Sequence, residues 1–204
     1  MPLLAFRRHV VRLLVAGAFG LFAVPGFAQP ASAADAAQLI QSVAAEVIEL
    51  IKTKTGADRQ AGIRKVLETS FDLSYMGRSA LGTHWGRTDE ALRERFLKAA
   101  ASAEAKAYAE RFGQYGGQTL TVGKVTSRPN NVLVVDSRLN QTSGEPIRIE
   151  WEVRDRGQGP RISDVKIEGV SMVMTRRSDF NSYIQQHGGK VESLVQELEA
   201  RARQ

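Results

Sequence analysis

The 204-residue chain has no cysteine. That absence excludes disulfides, thiolate catalysis, cysteine-ligated metals and a lipid anchor on an N-terminal cysteine. Histidine is nearly as scarce: His9, His84 and His187 are the full set, and each stands alone. Neither His84 nor His187 has an Asp, Glu or His at a metal-ligand spacing on a shared face, so no metal is expected. Ser79, Ser171 and Ser178 sit in no nucleophile elbow, and no glycine-rich phosphate loop is present. These absences argue against an enzyme and against a resident cofactor. Long apolar runs are missing too, with one exception.

The exception is Leu13 to Val24, about a dozen residues and too short to span a bilayer comfortably. Arg7, Arg8 and Arg12 precede it without an acid, and small residues follow at Gly26-Phe-Ala28 and Ala31-Ser-Ala33. The pattern is a secretory signal peptide over residues 1–33, cleaved after Ala28 or Ala33. Arg7-Arg8 hints at twin-arginine export, but the flanks fit poorly. Residues 34–204 then form a single domain. The formal charge of +6 falls to +3 for a chain starting at Ala34, because residues 1–33 hold three Arg and no acid. Basic residues are mixed with acids throughout, which argues against nucleic acid. Such a balance suits weak attraction to an anionic membrane surface or headgroup. With no disulfide, the core alone must hold the domain, and about 170 residues suffice for that.

The mature chain divides into helices, strands and helices. Asp35 can cap a first helix carrying Leu39, Ile40, Val43, Val47, Ile48 and Ile51, which Gly56 ends. Arg59 to Thr69 reads as a second helix. Asp72 caps a third, closed by Gly82. Thr88, followed by Asp89 and Glu90, starts a fourth that runs to about Phe112, with Leu92, Phe96, Ala99, Ala103 and Ala107 on one face. Gly116-Gly117 breaks the pattern. Four strands of period 2 follow: Thr119–Thr126, Val132–Leu139, Ile147–Arg154 and Arg161–Gly169. Their short polar connections suit hairpins. Two helices close the chain, Met172 to about His187 and Val191 to about Arg203. The expected class is α+β, a four-stranded antiparallel meander with helices packed on one face.

The strands have unlike faces. Ile147, Ile149, Trp151 and Val153 alternate with Arg148, Glu150, Glu152 and Arg154. Leu133, Val135, Ser137 and Leu139 oppose Asp136 and Arg138. Val165 and Ile167 oppose Asp164, Lys166 and Glu168. One face is dry; the other is a wet face of cross-strand ion pairs. The helices offer Met76, Leu81, Trp85, Phe96, Tyr108, Phe112, Val173, Met174, Phe180, Tyr183 and Ile184 to cover the dry face. The pattern alone leaves a filled core and a hollow one both open. Tyr75-Met-Gly-Arg78, Trp85-Gly-Arg87 and Arg176-Arg177 near Phe180 set cations beside aromatics. They read either as snorkelling surface arginines or as a basic rim at an apolar mouth.

Three stretches carry a family resemblance. They are Phe71-Asp-Leu-Ser-Tyr-Met-Gly-Arg-Ser-Ala-Leu-Gly-Thr-His-Trp85; Thr88-Asp-Glu-Ala-Leu-Arg-Glu-Arg-Phe96 with its helix to Tyr115-Gly-Gly; and Asp164-Val-Lys-Ile-Glu-Gly-Val-Ser171 with Arg177-Ser-Asp-Phe-Asn181. Together they make the chain resemble the MlaC, or toluene-tolerance, family of periplasmic phospholipid carriers. The chain departs from the family at Gly159-Pro-Arg-Ile162, where an aromatic or Gly-Trp-Lys-type segment is common.

The resemblance implies a periplasmic, monomeric carrier with no enzymatic activity. It would move phospholipid between an outer-membrane lipoprotein complex and an inner-membrane ABC transporter. It implies an apolar cavity between sheet and helices, lined by Met76, Leu81, Trp85, Phe96, Tyr108, Val135, Ile149, Trp151, Val165, Ile167, Val170, Met172, Met174 and Phe180. Arg78 and Arg176 would form the headgroup rim, and Val170 to Met174 a flexible edge. A hopanoid or another polycyclic lipid is an alternative cargo, since one branch of the family is hopanoid-associated. Burying a tail of about 16 carbons is worth roughly 13 kcal/mol at about 0.8 kcal/mol per CH₂, so a carrier must match that burial rather than perform chemistry. Two other readings remain: an enzyme on a cone-shaped α+β fold using Asp136, Asp164 or His84, and an interaction module with a filled core.

Overall fold

The computed structural model describes residues 31–112 and 115–203. The basic and apolar parts of the expected signal peptide, and the Ala28 cleavage point, lie outside the described residues. Helices α1 (Ala33–Thr53), α2 (Gly56–Ser70) and α3 (Leu73–Leu81) come first. A 3₁₀ turn over Gly82–Arg87 leads to α4 (Glu90–Arg111). Strands β1 (Thr119–Arg128), β2 (Val132–Asn140), β3 (Ile147–Asp155), β4 (Pro160–Ile167) and β5 (Val170–Ser171) follow, then α5 (Met172–Gln186) and α6 (Val191–Arg203).

The sheet is an antiparallel meander in the order β1-β2-β3-β4-β5. It has five strands, not the four expected. The last expected strand stops at Ile167, because Glu168 and Gly169 both take positive φ, 49° and 81°, and turn the chain back. Ile167 then pairs with Val170, and Ser171 with Lys166, before α5 begins. Two positive-φ residues form the tight hairpin turn that matches strand twist.

Two helix starts differ from the expected caps. Ser32, not Asp35, is the N-cap of α1. Asp35 sits at the third helical position and accepts a hydrogen bond from the Ser32 N–H at 2.9 Å, completing a capping box. Asp89, not Thr88, caps α4 by accepting from the Leu92 N–H at 2.8 Å. Thr88 is buried and donates its hydroxyl to the His84 carbonyl at 2.8 Å. Gly56 opens α2 rather than ending α1, which stops at Thr53.

Apolar packing falls into three connected zones. Leu133, Val135, Val153 and Ile162 on the dry sheet face pack against Ala36, Ile40 and Val43 of α1 and Val66 of α2. The polar atoms on this face are satisfied. The Trp151 indole N–H donates to Ser137 Oγ at 2.9 Å, and Ser137 donates to the Ile149 carbonyl at 3.1 Å. A second zone joins α3, α4, α5 and α6 around Phe96, whose ring meets Phe180 edge-to-face at 5.7 Å. Gly77 lets α3 lie close on α4, because a Cβ there would collide with Leu97. Ile63, Leu67 and Ala105 link α2 to α4 in the third zone. Among the described residues no helix is long and apolar enough to cross a membrane.

Candidate functional site

The helical zone and the sheet do not close on each other everywhere. Between α3, the 3₁₀ turn and α5 on one side and the ends of β3 and β4 on the other lies a cleft of about 980 Å³. That is near the upper end for ligand pockets. A smaller space of about 350 Å³ adjoins it, sharing Thr83, Met174 and Arg177.

The cleft opens on the charged face of the sheet, not the dry one. Glu152, Arg154, Ser163 and Asp164 supply the sheet wall, with Asn130 and Asn131 from the β1–β2 turn. Trp85, Val173 and Met174 supply apolar surface from the helical side. The expected wet face is thus largely enclosed: the Glu152 side chain is only 18% exposed and Arg154 24%. Val132 and Val134, on the same face of β2, are buried.

Each wall is fixed by its own bonds. Arg154 lies over the Tyr75 ring, pairs with Glu152 at 3.6 Å and donates to Ser163 Oγ at 3.2 Å. Glu152 also binds Lys166 at 2.8 Å. Arg156 pairs with Asp72 at 3.5 Å, and Asp72 caps α3 through the Tyr75 N–H at 3.0 Å. Trp85 is held by Arg93, which stacks 5.1 Å from its ring centroid and donates twice to its carbonyl, at 3.0 and 2.9 Å. His84 Nε2 meets Asn181 Oδ1 at 3.1 Å and ties the 3₁₀ turn to α5.

Asp164 is buried and committed. It accepts from the N–H groups of Val165 at 2.8 Å and Val173 at 3.2 Å, and from the Ser171 hydroxyl at 2.6 Å. It therefore completes the N-terminus of α5 alongside Ser171, the N-cap, which accepts from the Met174 N–H at 3.1 Å. Among the described residues no buried side-chain polar atom lacks a partner, and no cluster of His, Asp and Glu could hold a metal.

The residues expected to line a lipid cavity are scattered by the fold. Trp85, Met174 and Arg78 line the cleft, and Leu81 and Met174 the adjoining space. Val135, Trp151 and Val165 pack in the zone under α1 instead. Phe96 and Phe180 fill the helical core, and Tyr108 packs with Ile63, Leu67 and Phe112. Ile149 is buried, and Met76 and Met172 are half-buried. Ile167 and Val170 are exposed, flanking the β4–β5 turn on the dry side of the sheet, away from the cleft. Arg176 points to α4, where it binds Glu104 at 2.5 Å, and its neighbour Arg177 enters the cleft in its place.

Tyr75, Arg154, Arg156 and Arg177 complete the cleft. The aromatic–cation pairs near Tyr75 and Phe180 are the sequence signal for the helical side. Alternation misses the sheet wall; the signal for it is the unbroken apolar run Val132–Val135, whose four residues are all buried because the sheet is covered there on both faces.

The family model of the MlaC protein matches residues 41–200. Among solved structures, the chain is similar to a phospholipid-binding protein from Ralstonia solanacearum determined in complex with a phospholipid. The TM-score is 0.69, with 21% identity over 83% of this chain and 97% of that chain. At that identity the likeness is one of fold.

Proposed function

The chain belongs to the MlaC family, and from that premise we propose that it is a phospholipid carrier. The observation that carries the reading is the cleft. Trp85, Val173 and Met174 offer apolar surface next to the guanidinium groups of Arg78, Arg154, Arg156 and Arg177. A phospholipid pairs the same two chemistries in one molecule. The fold relative, a phospholipid-binding protein, supports the same ligand class.

The cargo's tails lie along the α5 and 3₁₀ wall and its headgroup among the arginines. The exposed Met174 forms an apolar edge of the cleft over which a tail passes on entry. The protein works in the periplasm after its signal peptide is removed. It exchanges lipid with an inner-membrane ABC transporter and an outer-membrane lipoprotein complex. Transfer between them needs no covalent step, since a tail moving from bilayer to cleft exchanges one apolar setting for another. The side chains best placed for acid–base work are engaged elsewhere: Asp164 holds α5, and His84 holds Asn181.

Mass spectrometry of lipid extracted from the purified mature protein tests the reading. Phospholipid near one molecule per chain is expected. A polycyclic lipid in its place would change the cargo class. Protein that carries no lipid and takes none from liposomes would sink the proposal.

A further inference from the structure

Two cleft arginines stand apart from the rest. Arg154 is paired with Glu152 and Arg156 with Asp72. Arg78 on α3 and Arg177 on α5 both line the cleft, and among the described residues neither forms an ion pair with a carboxylate. Arg177 reaches the C-terminal end of α3, the helix that carries Arg78. The Gly82 N–H donates to the Arg78 carbonyl, which sets Gly82, the C-cap of α3, one turn beyond Arg78. The Arg177 guanidinium lies across Gly82: a Cβ there would stand 2.9 Å from its Nε and 3.1 Å from its Cζ. Gly82 has φ +56° and leaves that space open.

The cleft acids cannot serve this pair. Asp155 accepts from the N–H groups of Gly157 and Gly159, at 2.8 and 3.1 Å. Asp164 is held by three donors, and Glu152 by Lys166 at 2.8 Å. The N-terminus of α5 is also taken, by Asp164 and Ser171. The cleft thus presents two guanidiniums without an ion-pair partner among the described residues, while each of its carboxylates is held by other donors. Two cations lining one cleft repel unless an anion sits between them, and the guanidinium fork matches phosphate oxygens.

We propose that Arg78 and Arg177 form a phosphate-binding pair that selects phosphate-bearing ligands over neutral ones of equal apolar content. This deepens the carrier reading and rests on it. The recognised chemistry is a phosphate ester, supplied by a lipid headgroup or by a free phosphate compound.

The test uses mature protein stripped of lipid. It is offered fluorescent phosphatidylglycerol or fluorescent diacylglycerol with identical tails, both delivered from cyclodextrin. The wild type should favour the phospholipid by about tenfold or more, the scale of one charge-assisted hydrogen bond. The double variant R78Q/R177Q should lose that preference and keep diacylglycerol uptake, which also reports that it folds. Undiminished preference in the variant, or none in the wild type, overturns the pair. If the wild type takes up neither lipid, the carrier reading fails, and calorimetric titration with inorganic phosphate decides the pair alone. Phosphate binding that the double variant lacks supports a site for free phosphate esters; no binding by the wild type overturns it.

Discussion

The guanidinium of Arg154 lies over the ring of Tyr75, with Cζ 4.8 Å from the ring centroid, while Arg156 approaches the same ring at 5.9 Å. One aromatic side chain on α3 thereby anchors the charged end of β3 and fixes one side of the cleft. Tyr75→Leu should lower stability by about 0.5–1 kcal/mol, the cation–π contribution, in urea unfolding. Tyr75→Phe keeps the ring and should change stability by less than about 0.5 kcal/mol. Equal losses in the two variants would show that the ring face is not what matters.

Asp164 should be the most costly single polar position. Asp164→Ala strands the Val173 N–H and the Ser171 hydroxyl at the start of α5, so a loss of about 2–3 kcal/mol is expected. Ser171→Ala removes the cap and one of the three donors to Asp164, and should cost about 1 kcal/mol. Because both act on one helix start, the double variant should lose less than the sum of the two. Full additivity in denaturant melts would contradict the shared role.

Arg95 joins α4 to α6 by binding Glu199 through two bonds, at 2.6 and 2.8 Å, and Glu192 at 2.6 Å. Hydrogen bonding from Arg95 holds the Glu199 carboxyl below its ordinary range. A carboxylate with a depressed folded pKa stabilises the fold above its unfolded pKa, about 4.3, and loses that contribution as pH falls through the folded value. Glu199→Gln should therefore lower the melting temperature at neutral pH. The gap from wild type should shrink below about pH 4.3, and it should also narrow in high salt because the pair is exposed. A gap that widens on acidification would contradict the linkage.

The mature protein should begin at Gln29. Cleavage after Ala33 would remove Ser32 and with it the capping box that starts α1. It would also remove Ala31, which packs beside the α1–sheet core. Cleavage after Ala28 keeps both, and a lost cap costs about 1 kcal/mol. The intact mass of protein purified from an exporting host decides the site. A mature chain beginning at Ala34 would contradict the prediction.

Much of the fold was legible in the sequence. The period switch at Gly116-Gly117 placed helices before strands, and the hairpin turns gave the meander. The errors were local and had physical causes. Ser32 and Asp35 are both good cap residues, and only the backbone shows which is the cap and which returns the bond. Strand β5 has two residues, too few for any periodicity, and Glu168-Gly169 lacks the usual Asn-Gly turn signal.

The cleft was less legible, because alternation tells dry from charged but not exposed from covered. Arg154 and Glu152 read as solvent-facing, yet they form a cleft wall once α3 crosses their face. The exchange of Arg176 for Arg177 follows from helix spacing. Arg176 lies four positions before Phe180, on the stripe that faces α4, where it binds Glu104. Met174, Arg177, Ser178 and Asn181 form the stripe that borders the two spaces.

The position of the lipid tail decides whether the cleft is the carrier site. A phospholipid with a photoreactive group in one acyl chain would be loaded onto the mature protein, irradiated, and its adducts mapped by peptide mass spectrometry. Adducts are expected at Trp85, Val173 and Met174, on the helical wall of the cleft. Adducts at Val135, Trp151 or Val165, beneath α1, would contradict that placement.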